Sequence, residues 1–277
     1  MIRRFLTATA IAAALVCPAA HAEVLTPEEA GRAVLDRYSQ AIVTLKLAVK
    51  TRVTVGGDDR TQESRTETIG TIVDPSGMTT ISLSSIDPSE TVGAMASQQA
   101  RRSGNKVDIS VDSEVTNATI VLADGTEMAA RVVLRDKDLD LAIVQPISPP
   151  PKPLTFVDLS GGRPPKVLDL FVALYRLGKM ANRVPTASLE RINAMVAGPR
   201  PYFVPGTGQG LSGIGSPVFN LDGGLIGLLL IRSAPPDDDG NIGTLFNGSA
   251  GMGLLPIIVP VAQIRESVEQ ARESAKE

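Results

Sequence analysis

The chain has 277 residues, 43% hydrophobic and 21% charged, with 27 Lys and Arg against 30 Asp and Glu. That composition suits a globular protein rather than a disordered one. Its acidic balance argues against a nucleic-acid binder, and the lack of Trp with only 3% aromatic residues removes the stacking platforms that bases use.

The single Cys, Cys17, and the single His, His21, both lie in the first 22 residues. That stretch reads as a cleaved export signal. Met1-Ile2-Arg3-Arg4 is a short basic start, Phe5 to Val16 is apolar, and Ala20-His21-Ala22 fits the small-x-small cleavage pattern. Arg3-Arg4 is read as an ordinary signal-peptide start rather than a twin-arginine motif. Ala14-Leu15-Val16 lacks the small residue that precedes a lipidated cysteine. Cleavage after Ala22 removes 22 of 277 residues and leaves 255, with neither His nor Cys and a net charge of about −5. The expected location is periplasmic or secreted, and no later apolar run reaches the roughly 18 residues of a membrane span.

Without imidazole or thiol, a Ser-His-Asp or Cys-His hydrolase lacks its base. A disulfide and a Cys/His zinc site are excluded as well. No cofactor and no metal are expected. Carboxylate, Lys- or Ser-based chemistry remains, or none.

In chain order, Thr26-Pro27-Glu28-Glu29 offers a hydroxyl cap, an initial Pro and a Glu at the third position, which predicts a helix to about Tyr38. From Ile42 the period becomes two, with Val43, Leu45, Leu47 and Val49 alternating with Thr44, Lys46, Ala48 and Lys50. A strand is expected to Val55, turned by Gly56-Gly57-Asp58-Asp59. Short strands follow at Thr68 to Val73, Ala118 to Leu122, Glu127 to Leu134 and Leu141 to Val144. The Asp124-Gly125 pair marks a hairpin. Residues from about 88 to 113 are polar and aperiodic, and are expected to form a surface insertion.

Ile147 to Pro153 holds four prolines in seven residues, an extended linker. A second set of strands is predicted at Val167 to Tyr175, Ala187 to Val196, Pro217 to Asn220, Leu225 to Ile231 and Gly243 to Phe246, closed by Gly251 to Leu255. Pro260 then starts an amphipathic helix with Val261, Ile264, Val268, Ala271 and Ala275 on one face. Two β-rich halves, a proline hinge and a terminal helix imply two small β-barrels side by side. The expected boundaries are a signal peptide 1–22, an N-terminal barrel 23–146, a linker 147–153, a C-terminal barrel 154–259 and a helix 260–277.

Three segments resemble the chymotrypsin-like (trypsin-like) serine proteases, in the bacterial periplasmic HtrA/Deg-type branch. Thr68-Ile69-Gly70-Thr71-Ile72-Val73-Asp74-Pro75-Ser76-Gly77, with Met78 to Ile86, resembles the strand that leads to the family's T-N-x-H-V. Ile120 to Glu127, continuing through Arg135-Asp136-Lys137-Asp138-Leu139-Asp140-Leu141-Ala142, resembles the hairpin and strand that carry the triad Asp. Ser212-Gly213-Ile214-Gly215-Ser216-Pro217-Val218-Phe219-Asn220 resembles G-N-S-G-G-P-L-x-N. The resemblance spans about Arg32 to Glu269. It implies an all-β fold of two six-stranded barrels, with a short N-terminal helix and a C-terminal helix packed on the second barrel.

Carried over residue by residue, the resemblance places the family's His at Ser85, or at Ser84 one register away, its Asp at Asp140 and its nucleophile at Ile214. Loss of Ser or His from such a triad costs about 10⁶ in turnover. The resemblance therefore implies a degenerate triad in a pseudoprotease that binds or scaffolds. Its partner would be an extended peptide, a protein or an active homologue, held by the remnant oxyanion loop of Ser212, Gly213, Gly215 and Ser216. That loop is expected to be remodelled, because Ile fits poorly in a strained turn.

The alternative is a serine endopeptidase-like enzyme with a His-free site, in which Ser212 or Ser216 would need a desolvated Lys such as Lys166 or Lys179. No paired Asp-Thr-Gly or Asp-Ser-Gly occurs. Asp237-Asp238-Asp239-Gly240-Asn241 fails as a calcium loop at Ile242 and Gly248, and Gly206 to Gly215 lacks the Lys-Ser/Thr of a phosphate loop.

Overall fold

The first helix is fixed by its cap. In the computed structural model, α1 runs Pro27–Tyr38, the Thr26 side chain accepts from the Glu29 N–H at 3.3 Å, and the Glu29 carboxylate accepts from the Thr26 N–H at 2.8 Å. The described residues are 25–93, 96, 109–206, 213–233 and 254–274. The expected leader, the Asp237 to Asn241 stretch and the expected strand at Gly243 to Phe246 lie outside them.

Twelve strands form two closed antiparallel barrels. The first holds β1 Ile42–Val55, β2 Asp58–Ile72, β3 Thr79–Ser82, β4 Ile109–Val121, β5 Glu127–Asp136 and β6 Leu141–Pro146, in the order β1-β2-β3-β6-β5-β4. The second holds β7 Leu170–Arg176, β8 Pro185–Val196, β9 Tyr202–Pro205, β10 Pro217–Phe219, β11 Leu225–Ser233 and β12 Leu254–Pro260, in the order β10-β11-β12-β9-β8-β7. Closure pairs the strands that an open sheet would leave as edges. The proline-rich segment joins β6 to β7 without regular structure.

Several strands differ from the sequence reading. β2 begins at Asp58, ten residues before the apolar pattern, because those polar residues pair with β1 residue by residue from Val55↔Asp58. β4 begins at Ile109, so the last five residues of the 88–113 stretch are strand, paired with β1. β9 was not anticipated: it has four residues and ends in Pro205. β12 runs on through Pro256 to Pro260.

The chain ends cross between the barrels. α1 precedes the first barrel in sequence but packs on the second, with Gly31 against Leu189 and Val172. The Tyr38 ring stacks on Phe219 at 4.6 Å between centroids and 12° between planes, and its hydroxyl donates to the Gly223 carbonyl at 3.2 Å. The C-terminal helix α2, Val261–Ser274, buries Ile264, Ser267, Val268 and Ala271. It packs on β11 and β12 of its own barrel, as expected, and also on β5 and β6 of the other. There the Ser267 hydroxyl donates to Asp136 at 3.0 Å and Arg272 pairs with Asp74 at 2.7 Å. The hydrophobic core is accordingly continuous across the seam. Val34, Tyr38, Phe219, Ile264 and Val268 share one cluster with Leu45, Ile81 and Ile143.

Tyr38 tests this seam. Tyr38→Ala should cost about 3 kcal/mol in thermal or urea unfolding, whereas Tyr38→Phe, which loses only the hydroxyl bond, should cost about 1 kcal/mol.

Candidate functional site

The two barrels meet at Asp140. This residue sits just before β6 with φ +56°, a left-handed backbone that Asp tolerates better than most residues. Its Oδ2 accepts from the Ser82 hydroxyl at 2.6 Å and from the Ile231 N–H at 3.0 Å. Its Oδ1 accepts from the Ser84 N–H at 2.7 Å. The Asp140 carbonyl accepts from the Leu83 N–H at 2.8 Å. Ser82 ends β3, residues Leu83–Ser85 form a 3-10 turn, and Ile231 belongs to β11. One carboxylate therefore joins the first barrel to the second. Burial pushes the Asp140 carboxyl upward, opposed by the hydrogen bonds from Ser82, Ile231 and Ser84.

The hydroxyls around it are shared among themselves. Ser82 and Ser84 lie 2.7 Å apart at their Oγ atoms. The Ser85 hydroxyl turns elsewhere and bonds that of Thr68 on β2 at 2.8 Å. Of the two positions considered for the family's His, Ser84 touches Asp140 and Ser85 touches β2.

Ile214 is 9% exposed and packs with Phe171, Ile192, Val218 and Leu229 in the core of the second barrel. The left-handed backbone of this loop falls on Gly215, at φ +92°. Gly215 presses against the first barrel: a Cβ there would lie 2.8 Å from the Ile69 carbonyl oxygen, and Thr71 Oγ1 donates to the Gly215 carbonyl at 3.3 Å. The Gly215 N–H donates to Leu229 O at 2.7 Å and the Ser216 N–H to Gly213 O at 3.0 Å, so neither is open to a ligand. Ser212 lies outside the described residues. The Ser216 Oγ is buried with no hydrogen-bond partner. Lys166 and Lys179 are both exposed, so neither is the desolvated amine that a Ser-Lys pair requires.

A cleft of about 180 Å³ opens beside Asp140, lined by Ser84, Asp87, Glu90, Lys137, Asp138 and Arg232 among others. Asp87 is buried and pairs with Lys137 at 3.6 Å, and Asp138 pairs with Arg200 at 2.8 Å. Among the described residues no three His, Cys, Asp or Glu side chains are grouped to hold a metal.

The family model of the trypsin-like peptidase domain matches residues 70–228, more than half of the chain. The chain belongs to this family. No curated protein matches it. The matched span of the trypsin-like peptidase domain contains β3, Asp140, the Gly213 to Ser216 turn and most of both barrels.

Sequence reasoning missed Glu190. This β8 residue is half-buried, its Oε2 is enclosed without a hydrogen-bond partner, and burial alone pushes its carboxyl up to about 7. It lies two residues before Ile192, which packs in the same cluster as Ile214. A signal existed in the alternation, since Glu190 and Ile192 share a face, but the bulge between Ile192 and Ala194 obscures the pattern.

Two outcomes follow for the carboxylates. Asp140→Ala strands the Ser82, Ser84 and Ile231 donors and should cost about 3 kcal/mol in chemical unfolding. Folded Glu190 keeps its proton to about pH 7, against 4.5 in the ordinary group. Its raised pKa supplies stability that is complete below pH 4.5 and is lost as pH rises through 7. Glu190→Gln should flatten that part of the stability–pH curve and raise stability at pH 8 by about 1 kcal/mol, discounted for partial exposure.

Proposed function

We propose that this trypsin-like peptidase homologue is an exported, catalytically inactive pseudoprotease of the HtrA/Deg type that binds extended peptide or protein segments in the cleft between its barrels. The observation that carries the reading is the partner set of Asp140. Its carboxylate oxygens are met by Ser82, Ser84 and Ile231, and the chain's only imidazole is His21 in the expected leader. A triad Asp acts by orienting and charging an imidazole, and a carboxylate that holds hydroxyls and amides has nothing to activate. Ile214 at the matching nucleophile position carries no attacking lone pair and packs inward.

The lining of the cleft supports the binding reading. It has charged walls of both signs in Asp87, Glu90, Lys137 and Arg232. Ser216 is an unsuited substitute nucleophile, since its hydroxyl has no base within bonding distance.

A serine-reactive fluorophosphonate probe tests the loss of activity. The exported form should stay unlabelled and should not degrade unfolded casein. Stoichiometric labelling that vanishes in Ser212→Ala or Ser216→Ala would establish a His-free protease instead. For binding, fluorescence anisotropy with extended peptides recovered from the protein's own periplasm should show saturable capture. Thr91→Trp, which crowds the cleft without touching the Asp140 network, should weaken capture about tenfold or more with little change in melting temperature.

A further inference from the structure

β2 is paired much further on one side than on the other among the described residues. It pairs with β1 along its whole length, from Ile42↔Thr71 to Val55↔Asp58, but with β3 only at Thr71 and Ile72. Residues Asp58 to Arg65 are all exposed, and among the described residues none of them has a strand neighbour on the outer side. Proteins normally blunt such an edge with Pro, charged side chains, a bulge or a very short strand; here Asp58, Asp59, Arg60, Glu63 and Arg65 supply charge, which admits a second strand only where those charges are matched. This one has no Pro, no Lys and no register shift against β1. Eight exposed strand residues form a template for another strand.

We propose that this edge pairs antiparallel with the same edge of a second copy of the chain, about a two-fold axis at Gln62. The argument rests on register and charge. A two-fold axis normal to a sheet keeps each side chain on its own face, so residues opposed across it must share parity. The centre is therefore a residue opposite itself. A centre at Arg60 or Glu63 opposes like charges directly. A centre at Thr61 sets Asp59 against Glu63. A centre at Ser64 carries the pairing onto Glu67, Thr68 and Ile69, which Arg183, Ser85 and Gly215 already occupy.

The centre at Gln62 avoids all of these. It opposes Asp59 to Arg65 twice, Thr61 to Glu63, Arg60 to Ser64, Asp58 to Thr66, and Gln62 to itself. Among the described residues Arg65 has no ion-pair partner, and Asp59 takes only the Thr54 hydroxyl, at 2.6 Å on Oδ1. Unlike charges directly opposed stabilise a sheet, and like charges destabilise it.

The product is one six-stranded sheet in the order β4-β1-β2-β2-β1-β4. On one face it collects Val53, Val55, Ile109, Val111 and Val115 of both copies, residues that a single copy leaves partly exposed. The proposal is independent of the reading of the cleft.

Single-cysteine cross-linking tests it. In a Cys17→Ser background, Gln62→Cys should form a disulfide-linked dimer under mild oxidation at micromolar protein. Thr61→Cys and Glu63→Cys, whose sulfurs do not face themselves, should cross-link at least about tenfold more slowly. In sedimentation, the unmodified chain should be a dimer. Asp59→Arg should weaken it by about tenfold in Kd, and Asp59→Arg combined with Arg65→Asp should restore it. All these residues are exposed, and circular dichroism checks that each variant folds. A monomer at 100 µM, cross-linking independent of position, or a dimer indifferent to both charge variants would overturn the proposal.

Discussion

The Asp140 carboxylate is where the two barrels become one protein. It takes a hydroxyl and an amide from the first barrel and an amide from β11 of the second. Ser82 is buried and Ser84 and Ile231 are partly so, and a buried donor left unpaired costs as much as the bond it fails to make. The arrangement therefore fixes the ends of β3 and β11 relative to each other. Gly215 completes the joint. Its backbone lies against Ile69 of β2 while its N–H bonds Leu229, two residues from Ile231. No side chain larger than hydrogen fits at that approach.

This joint is one of several links between the barrels. The crossing helices hold the barrels together independently of it, through Tyr38 on Phe219 and through Ile264 and Val268 in the shared core. An aromatic stack and several buried aliphatics supply more than a surface ion pair does. With the frame secured elsewhere, Ile214 can sit in the second-barrel core, and Ser82 and Ser84 can satisfy Asp140, without opening the seam. An Asp whose burial raises its carboxyl is a costly group to keep. Here it satisfies three donors, from Ser82, Ser84 and Ile231, that an apolar residue would leave unpaired.

Much of this was legible in the sequence, and the residues show why. Thr26-Pro27-Glu28-Glu29 determines its helix locally, because the cap bonds lie within four residues. The apolar alternation of β1 and the Asp124-Gly125 turn are likewise local. The outer half of β2 was illegible because Asp58 to Glu67 has no apolar face; its structure comes from backbone pairing to β1, a partner that local pattern does not name. β9 was too short and too proline-bounded to show a period. Asp140 was picked out from its Asp-Leu-Asp-Leu-Ala setting, but its donors Ser82 and Ile231 come from sequence distances of 58 and 91 residues. The isolation of Glu190 depended on which barrel face it occupied, and closure of the barrel decides that.

β2 also connects the parts of the molecule that composition alone kept separate. Its barrel end meets the turns around the seam: Thr68 holds the Ser85 hydroxyl, Ile69 receives Gly215, and Thr71 bonds the Gly215 carbonyl. Its outer end is the polar edge that meets no further strand among the described residues. A strand paired on one side only is the part of a sheet most able to twist and shift, because half of its backbone groups have no fixed partner. A second strand laid against Asp58 to Arg65 would fix that half. The restraint would reach the Ser85 and Gly215 contacts along one uninterrupted strand, with no hinge residue and no register shift against β1 between them. The outer edge and the residues that meet Ser85 and Gly215 thus lie along one continuous strand, and what covers the edge bears on those contacts.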